Sequence, residues 1–304
     1  MSLAVLAVGE LLVDFISTSV KERLTMEDRF QPFPGGSPAN LAGNLSRLGI
    51  NAGLAATVGQ DDLGQFLGDY VAALGLDVRG LRQDERPTTT ILLTRSLDVP
   101  KFEAYRAADA QILPEQLPTT ILRELKIFHT TCFALSQYPA RETILAAAAE
   151  VVENGGQVSI DTNYAHKIWP NREEAQQIVA DYCALGALVK CSDVDWQRLY
   201  GLPLTDPAKA TAFFHELGAK IVCLTLGAKG CYVSDGQTTV QLPVRPIVIV
   251  DTTGAGDAFW AGFLSGCLLE ASIENCAKRG RALAELKLQQ AGPLPSTVVI
   301  DDLL

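Results

Sequence analysis

The chain has 304 residues, enough for two average domains or one large α/β domain with an excursion. Hydrophobic residues make up 48% and charged residues 20%, the balance of a globular chain and not of a disordered one. The formal charge of -10 argues against binding the phosphate backbone of nucleic acid, yet leaves small anions open, because backbone amides and bound cations hold those.

The chain opens with AVLAVGELLVDFI, a strand-like run broken at Gly9. Residues 17–30 are polar, and FQPFPGG at 30–36 reads as a turn-rich approach. In SPANLAGNLSRLG, Ser37 is placed to be the N-cap, Pro38 suits the first helical position and Gly49 the stop. NAGLAATVG is a short buried strand, followed by a helix from about Asp62 to Leu74. TTTILLTRS and KFEAYRA form a hairpin through Leu97-Asp98-Val99-Pro100, an excursion from the main body. From Ile112 onward strands (IFHTTCF, VSIDTN, ALVKCS, IVCLTLG) alternate with helices (RETILAAAAEVVENGG, REEAQQIVADYCAL, PAKATAFFHELG). CYVSDGQTTVQLP is a second hairpin, and VRPIVIV a strand before the last strong helix, which starts near Ala258. The alternation predicts an α/β fold with a doubly wound, mostly parallel sheet flanked by helices, its ligands lying beyond the carboxyl ends of the strands.

No apolar run reaches the roughly 18 residues of a membrane span, and no basic-then-apolar leader opens the chain. The expected location is cytoplasmic. The seven cysteines (Cys132, Cys183, Cys191, Cys223, Cys231, Cys267 and Cys276) are odd in number and have no C-x-x-C spacing, as expected of reduced buried thiols. His129, His166 and His215 stand alone, which disfavours zinc.

The most informative stretch is Asp251-Thr252-Thr253-Gly254-Ala255-Gly256-Asp257 before an apolar helix. Its two glycines allow a sharp turn and leave amide N–H groups open at a helix N-terminus, an anion cradle. A dinucleotide fingerprint fails because Phe259 takes the third glycine's place, and a P-loop fails because no Gly-Lys pair exists. Asp257, an acid beside an anion site, suits acceptance of a proton from a hydroxyl attacking a phosphoryl group. The plainer reading is an acid favoured by the helix dipole.

DTTGAGDAFWAGF resembles the C-terminal signature of the ribokinase-like (PfkB) carbohydrate kinases, and GGSPANLAGNLSRLG at 35–49 resembles their N-terminal signature. The resemblance spans essentially the whole chain. It implies an enzyme that moves the γ-phosphoryl of ATP, with Mg²⁺, to a sugar hydroxyl. It assigns Asp257 as general base and Gly254, Ala255 and Gly256 as the anion hole. Asp14, Gly35, Gly36, Asn40, Arg106 and Asn163 become sugar contacts; Asp161 shares Asn163's D-x-N segment. Lys190, Ser192, Thr225 and Gly227 become nucleotide contacts. Asp195, standing for the family's glutamate, becomes a Mg²⁺ residue, and Asp251 and Thr253 mark a K⁺ site. Residues 1–10, 36–86 and 110–304 would form the main α/β domain, and 11–35 with 87–109 a small β lid that excludes water and pairs with a second subunit's lid through positions such as Ile91 and Leu93.

Tyr105-Arg106-Ala107-Ala108-Asp109 resembles fructokinase-like members, which makes fructose the leading substrate. 2-Keto-3-deoxygluconate is the alternative, although Ala165 stands where that group commonly has arginine and Lys167 would supply only a point charge. A silent sugar-binding regulator on the same fold is the rival from another class.

Overall fold

A computed structural model describes residues 3–20, 25–94 and 101–304. Its main body is a nine-stranded sheet built from β1 (Val5–Val8), β4 (Ala52–Gly59), β5 (Asp77–Asp84), β8 (Ile127–Thr131), β9 (Gln157–Asp161), β10 (Leu188–Ser192), β11 (Ile221–Thr225), β12 (Cys231–Ser234) and β13 (Thr239–Leu242). The order across the sheet is β13-β12-β11-β10-β9-β8-β1-β4-β5. Every pairing from β5 to β11 is parallel, and the β11–β12 and β12–β13 pairings at the edge are antiparallel. The order reverses between β1 and β8, so a crevice opens beyond their carboxyl ends.

Side chains alternate across these strands. Val5 and Ala7 enter one core and Leu6 and Val8 the other. The first core packs α1 (Ser37–Arg47), α2 (Asp62–Ala73), α9 (Ala255–Leu268) and α10 (Ile273–Leu288) on one face. The second packs α5 (Ala140–Glu153), α6 (Arg172–Ala184), α7 (Asp193–Tyr200) and α8 (Pro207–Glu216) on the other, with α3 (Thr119–Leu122) and α4 (Cys132–Leu135) completing the helices. Burying strands on both faces explains their continuous apolar character. Trp260 is fully buried against Phe263, and its indole N–H donates to Ser159 Oγ (2.9 Å).

A second sheet of four strands stands apart: β3 (Phe30–Gly35), β2 (Leu12–Ser17), β6 (Thr90–Thr94) and β7 (Lys101–Tyr105), in that order. Leu12 and Ile91 pack with Phe133 and Ile168 of the main body. Ile91 is thus spent on its own chain's core. The β6–β7 pair is the expected hairpin; its connection Leu97–Pro100 lies outside the described residues.

Several expectations need correction. FQPFPGG is not a turn but β3, and its prolines are tolerated because β3 is an edge strand. VRPIVIV is not a strand: it has no sheet partner, and Val248, Ile249 and Val250 are exposed. The last strong helix does not start near Ala258; α9 begins at Ala255 and the longer α10 follows it. All seven cysteines are free thiols, six of them buried.

Candidate active site

The first turn of α1 holds Asp257. Gly36 closes β3 and caps α1 with φ 107°, and a Cβ there would lie 2.2 Å from the Glu10 carbonyl oxygen, so only glycine fits. Ser37 is therefore not the N-cap but the first helical residue. Its hydroxyl donates to Asp257 Oδ1 (2.7 Å), and its N–H donates to Glu10 Oε1 (3.2 Å). Asn40, one turn on, donates from Nδ2 to Asp257 Oδ2 (2.8 Å). Asp257 itself sits in the first turn of α9, after the left-handed N-cap Gly254 (φ 73°). The first regular bond of that helix is made by Ala258, to the Gly254 carbonyl, so the amides of Gly256 and Asp257 belong to the turn that lacks intrahelical partners. The Ala255 N–H makes a long bond to Thr252 O (3.3 Å).

Burial pushes the Asp257 carboxyl above its usual range; the Ser37 hydroxyl opposes this, the Asp161 charge adds to it, and Lys190 and Asn40 oppose it. Asp14, on β2, is pushed up to about 6 by burial and by the Asp257 charge. Its Oδ2 lies 2.2 Å from where a Gly35 Cβ would be, so the missing side chain at Gly35 makes room for the acid. Two carboxylates thus face one space at the N-terminus of α9.

Behind that cradle the ends of β9, β10 and β11 line up, with Lys190 opposite Asp161 and Ser192 opposite Thr225. Lys190 Nζ donates to Asp161 Oδ2 at 2.6 Å, both side chains nearly dry. Burial alone would lower the Lys190 pKa, but Asp161, Asp195 and Asp257 outweigh it and raise it. The ammonium lies 3.3 Å from where a Cβ on Gly256 would be, directly under the cradle. Asp195 and Ser192 form a capping box on α7: the Asp195 N–H donates to Ser192 Oγ, and the Ser192 N–H and hydroxyl donate to Asp195 Oδ2. Asp195 is pushed up by burial and by Asp161. Among the described residues no three His, Cys, Asp or Glu side chains form a metal cage. The Mg²⁺ that the resemblance implies would, if carried in on nucleotide phosphates with its waters, meet Asp161 and Asp195 as the carboxylates at these strand ends. Thr225 is half-buried, and Gly227, in the left-handed region at φ 55°, is exposed with open space beside it.

The Asp251–Thr253 turn is closed by the Thr253 N–H donating to Asp251 Oδ1 (2.9 Å). The other oxygen, Oδ2, faces the ammonium of Lys287 at 3.8 Å. A K⁺ ion does not fit beside that charge, so the potassium expectation finds no support. A cavity of about 180 Å³ joins this corner to Asp14, with Asn40, Asp251, Gly254 and Lys287 also in its wall.

Three expected contacts sit differently. Arg106 is neither exposed nor unengaged: Nε and Nη2 donate to Asp109 Oδ2, Nη1 to Ser136 Oγ, and the guanidinium stacks over Phe133. That commits three of its five N–H donors within the chain. Lys167 donates to Phe102 O (3.0 Å) and Glu103 Oε1 (2.5 Å), so it ties β7 to the main body. Asn163 is exposed on the rim with φ 21°, and its N–H donates to Asp161 Oδ1 (3.3 Å).

Sequence reasoning missed Ser37, assigned to capping, and did not single out Glu10. Glu10 is 2% exposed and accepts from Thr131 Oγ1 (2.9 Å) as well as Ser37, bridging the strand-order reversal. Burial pushes its carboxyl up to about 8. Its position directly after the first strand was the signal available.

An open helix N-terminus, a carboxylate held at both oxygens and a second acid before it are thus brought together at one place. The model of the pfkB family of carbohydrate kinases matches residues 2–298, and the chain belongs to that family. It is a sugar phosphotransferase of ribokinase-like α/β fold. It is 34% identical over 297 residues to an ATP-dependent 6-phosphofructokinase of Thermoanaerobacterium thermosaccharolyticum, covering 98% of this chain and 91% of that one. The fructokinase of Halothermothrix orenii superposes with a TM-score of 0.80 at 33% identity, over 95% of this chain and 99% of that one. A sugar kinase of Pyrococcus horikoshii in complex with ATP superposes with a TM-score of 0.83 at 27% identity, over 98% and 96%. Among the described residues no helix is long and apolar enough to cross a membrane.

Proposed function

We propose that this chain is an ATP- and Mg²⁺-dependent fructokinase, with Asp257 as general base. One observation carries the base assignment: both oxygens of Asp257 are fixed by Ser37 and Asn40 at the mouth of the α9 cradle, facing Asp14. In this reading Asp14 accepts hydrogen bonds from sugar hydroxyls, Gly35 makes room for that acid, and Gly36 allows the close approach of the Glu10 carbonyl that sets the start of α1. Asp257 takes the proton of the attacking hydroxyl, and the amides of the cradle with Lys190 stabilise the transferring phosphoryl. Mg²⁺ would neutralise charge on the nucleotide phosphates. Thr225 and Gly227 border the nucleotide, and the four-stranded sheet acts as a lid that keeps water from the phosphoryl group.

The likeness to the H. orenii fructokinase supports fructose. The keto-acid alternative is weakened because Lys167 is spent on Glu103 and Phe102. A sugar phosphate is the second reading, favoured by the phosphofructokinase relative and by Arg47, a buried cation in the same cavity wall. ADP release with Mg-ATP across fructose, fructose 6-phosphate, ribose and 2-keto-3-deoxygluconate tests these readings together. Turnover on fructose alone supports the fructokinase. Preference for fructose 6-phosphate selects the second reading, and silence on every acceptor despite ATP binding selects the regulatory protein. Pairing of two lids into a dimer belongs to the same proposal, and a one-chain mass in solution at micromolar concentration removes it.

A further inference from the structure

We propose that the ammonium of Lys287 is a resident cation for the anion-hole loop, so that this kinase turns over without a monovalent metal ion. The inference rests on the sugar-kinase reading of the α9 cradle. Lys287 lies in the last turn of α10 and is 7% exposed. Its Nζ is buried and makes no hydrogen bond to any described residue. Its facing charge is Asp251 Oδ2, 3.8 Å away. A buried ammonium left this open is costly unless it has a charge to serve.

The loop it serves is built onto it. The N–H groups of Val250 and Asp251 donate to the carbonyl of Leu288, the next residue (2.7 and 3.3 Å). The stem of Lys287 runs beneath the cradle, with Cε 3.7 Å from where a Gly254 Cβ would be. Asp251 is thus divided: Oδ1 fixes the Thr253 amide and Oδ2 balances the ammonium. A positive charge at this corner holds the acid, the acid holds the turn, and the turn sets the left-handed Gly254 that opens α9. Lys287 is on this account a positioning residue. It also lends positive potential to the helix end where negative charge collects in phosphoryl transfer.

The test is turnover of the full chain with Mg-ATP and its sugar in tetramethylammonium, sodium and potassium chloride at equal ionic strength. Wild type is expected to be indifferent to the cation. K287A, which vacates the ammonium's place, should lose at least about tenfold in kcat in tetramethylammonium, with little change in the sugar KM, and recover when K⁺ is added. K287M keeps the bulk without the charge and should lose turnover without rescue. A second readout needs no acceptor: the melting temperature of K287A should rise in K⁺ over Na⁺, and that of wild type should not. Activation of wild type by K⁺, or full turnover of K287A in tetramethylammonium, overturns the proposal. If no acceptor turns over, the kinase reading fails, and the melting series alone decides the cation site. If K287A does not fold, the wild-type salt series and K287M decide it.

Discussion

On the proposed reading Asp257 is the residue on which the chemistry turns, and its two hydrogen bonds separate placement from reactivity. D257N keeps the shape and one acceptor oxygen but cannot take a proton, so kcat should fall by about 10²–10⁴-fold while ATP binding, read by calorimetry, persists. Retained turnover would remove Asp257 from the base role. The same variant has a second readout. Asp14 is raised to about 6 first by burial and then by the Asp257 charge, so deleting that charge should lower the Asp14 pKa, as carbon-detected NMR of the carboxyl would show. Asp257 and its glycines were legible in the sequence as a local string. Ser37 was misread because a serine before a helix has two uses, and only the partner 220 positions away decides between them.

The elements hold this geometry through strand ends, and there the buried charges matter most. Lys190 at the end of β10 faces Asp161 from β9 with almost no water present. K190M would leave Asp161 and Asp195 uncompensated and should lower unfolding stability by about 3–5 kcal/mol, measured by urea denaturation at neutral pH. Glu10, between β1 and β2, runs the other way. Its folded pKa of about 8 lies above the unfolded value of 4.5, so between these limits the folded state binds more protons and stability falls as pH rises. E10Q has no such proton to lose, so its melting temperature should drop less than wild type's between pH 5 and pH 8.5 on that account, by the order of a few kcal/mol in stability. A pH slope equal to wild type's would show that Glu10 stays charged. The strands with continuous apolar runs could be read from sequence because burial on both faces leaves a one-dimensional mark. β3 could not, since its prolines signal a turn wherever the strand's edge position is unknown.

At the scale of the whole molecule, β2, β3 and α1 are consecutive elements, so Asp14, Gly35, Gly36 and Asn40 all come from neighbouring parts of the sequence. The small sheet carries Asp14, whereas Asp257 belongs to the main body, and the Lys167–Glu103 pair ties the two where solvent reaches both side chains. How the two sheets meet was not legible from composition or periodicity, because it depends on contacts such as Ile91 on Phe133 and Ile168. If the small sheet acts as the proposed lid, this arrangement makes the Asp14 carboxyl a gauge of its position. A small sheet swung outward would return it to water and towards its ordinary value of 3.8, and closure would bring it back to about 6. Closing the site should therefore draw protons from the medium between those two values. Sugar binding measured by calorimetry at pH 5, in buffers of different ionisation heat, would register the uptake, and mild acid would act as a weak agonist of the closed form.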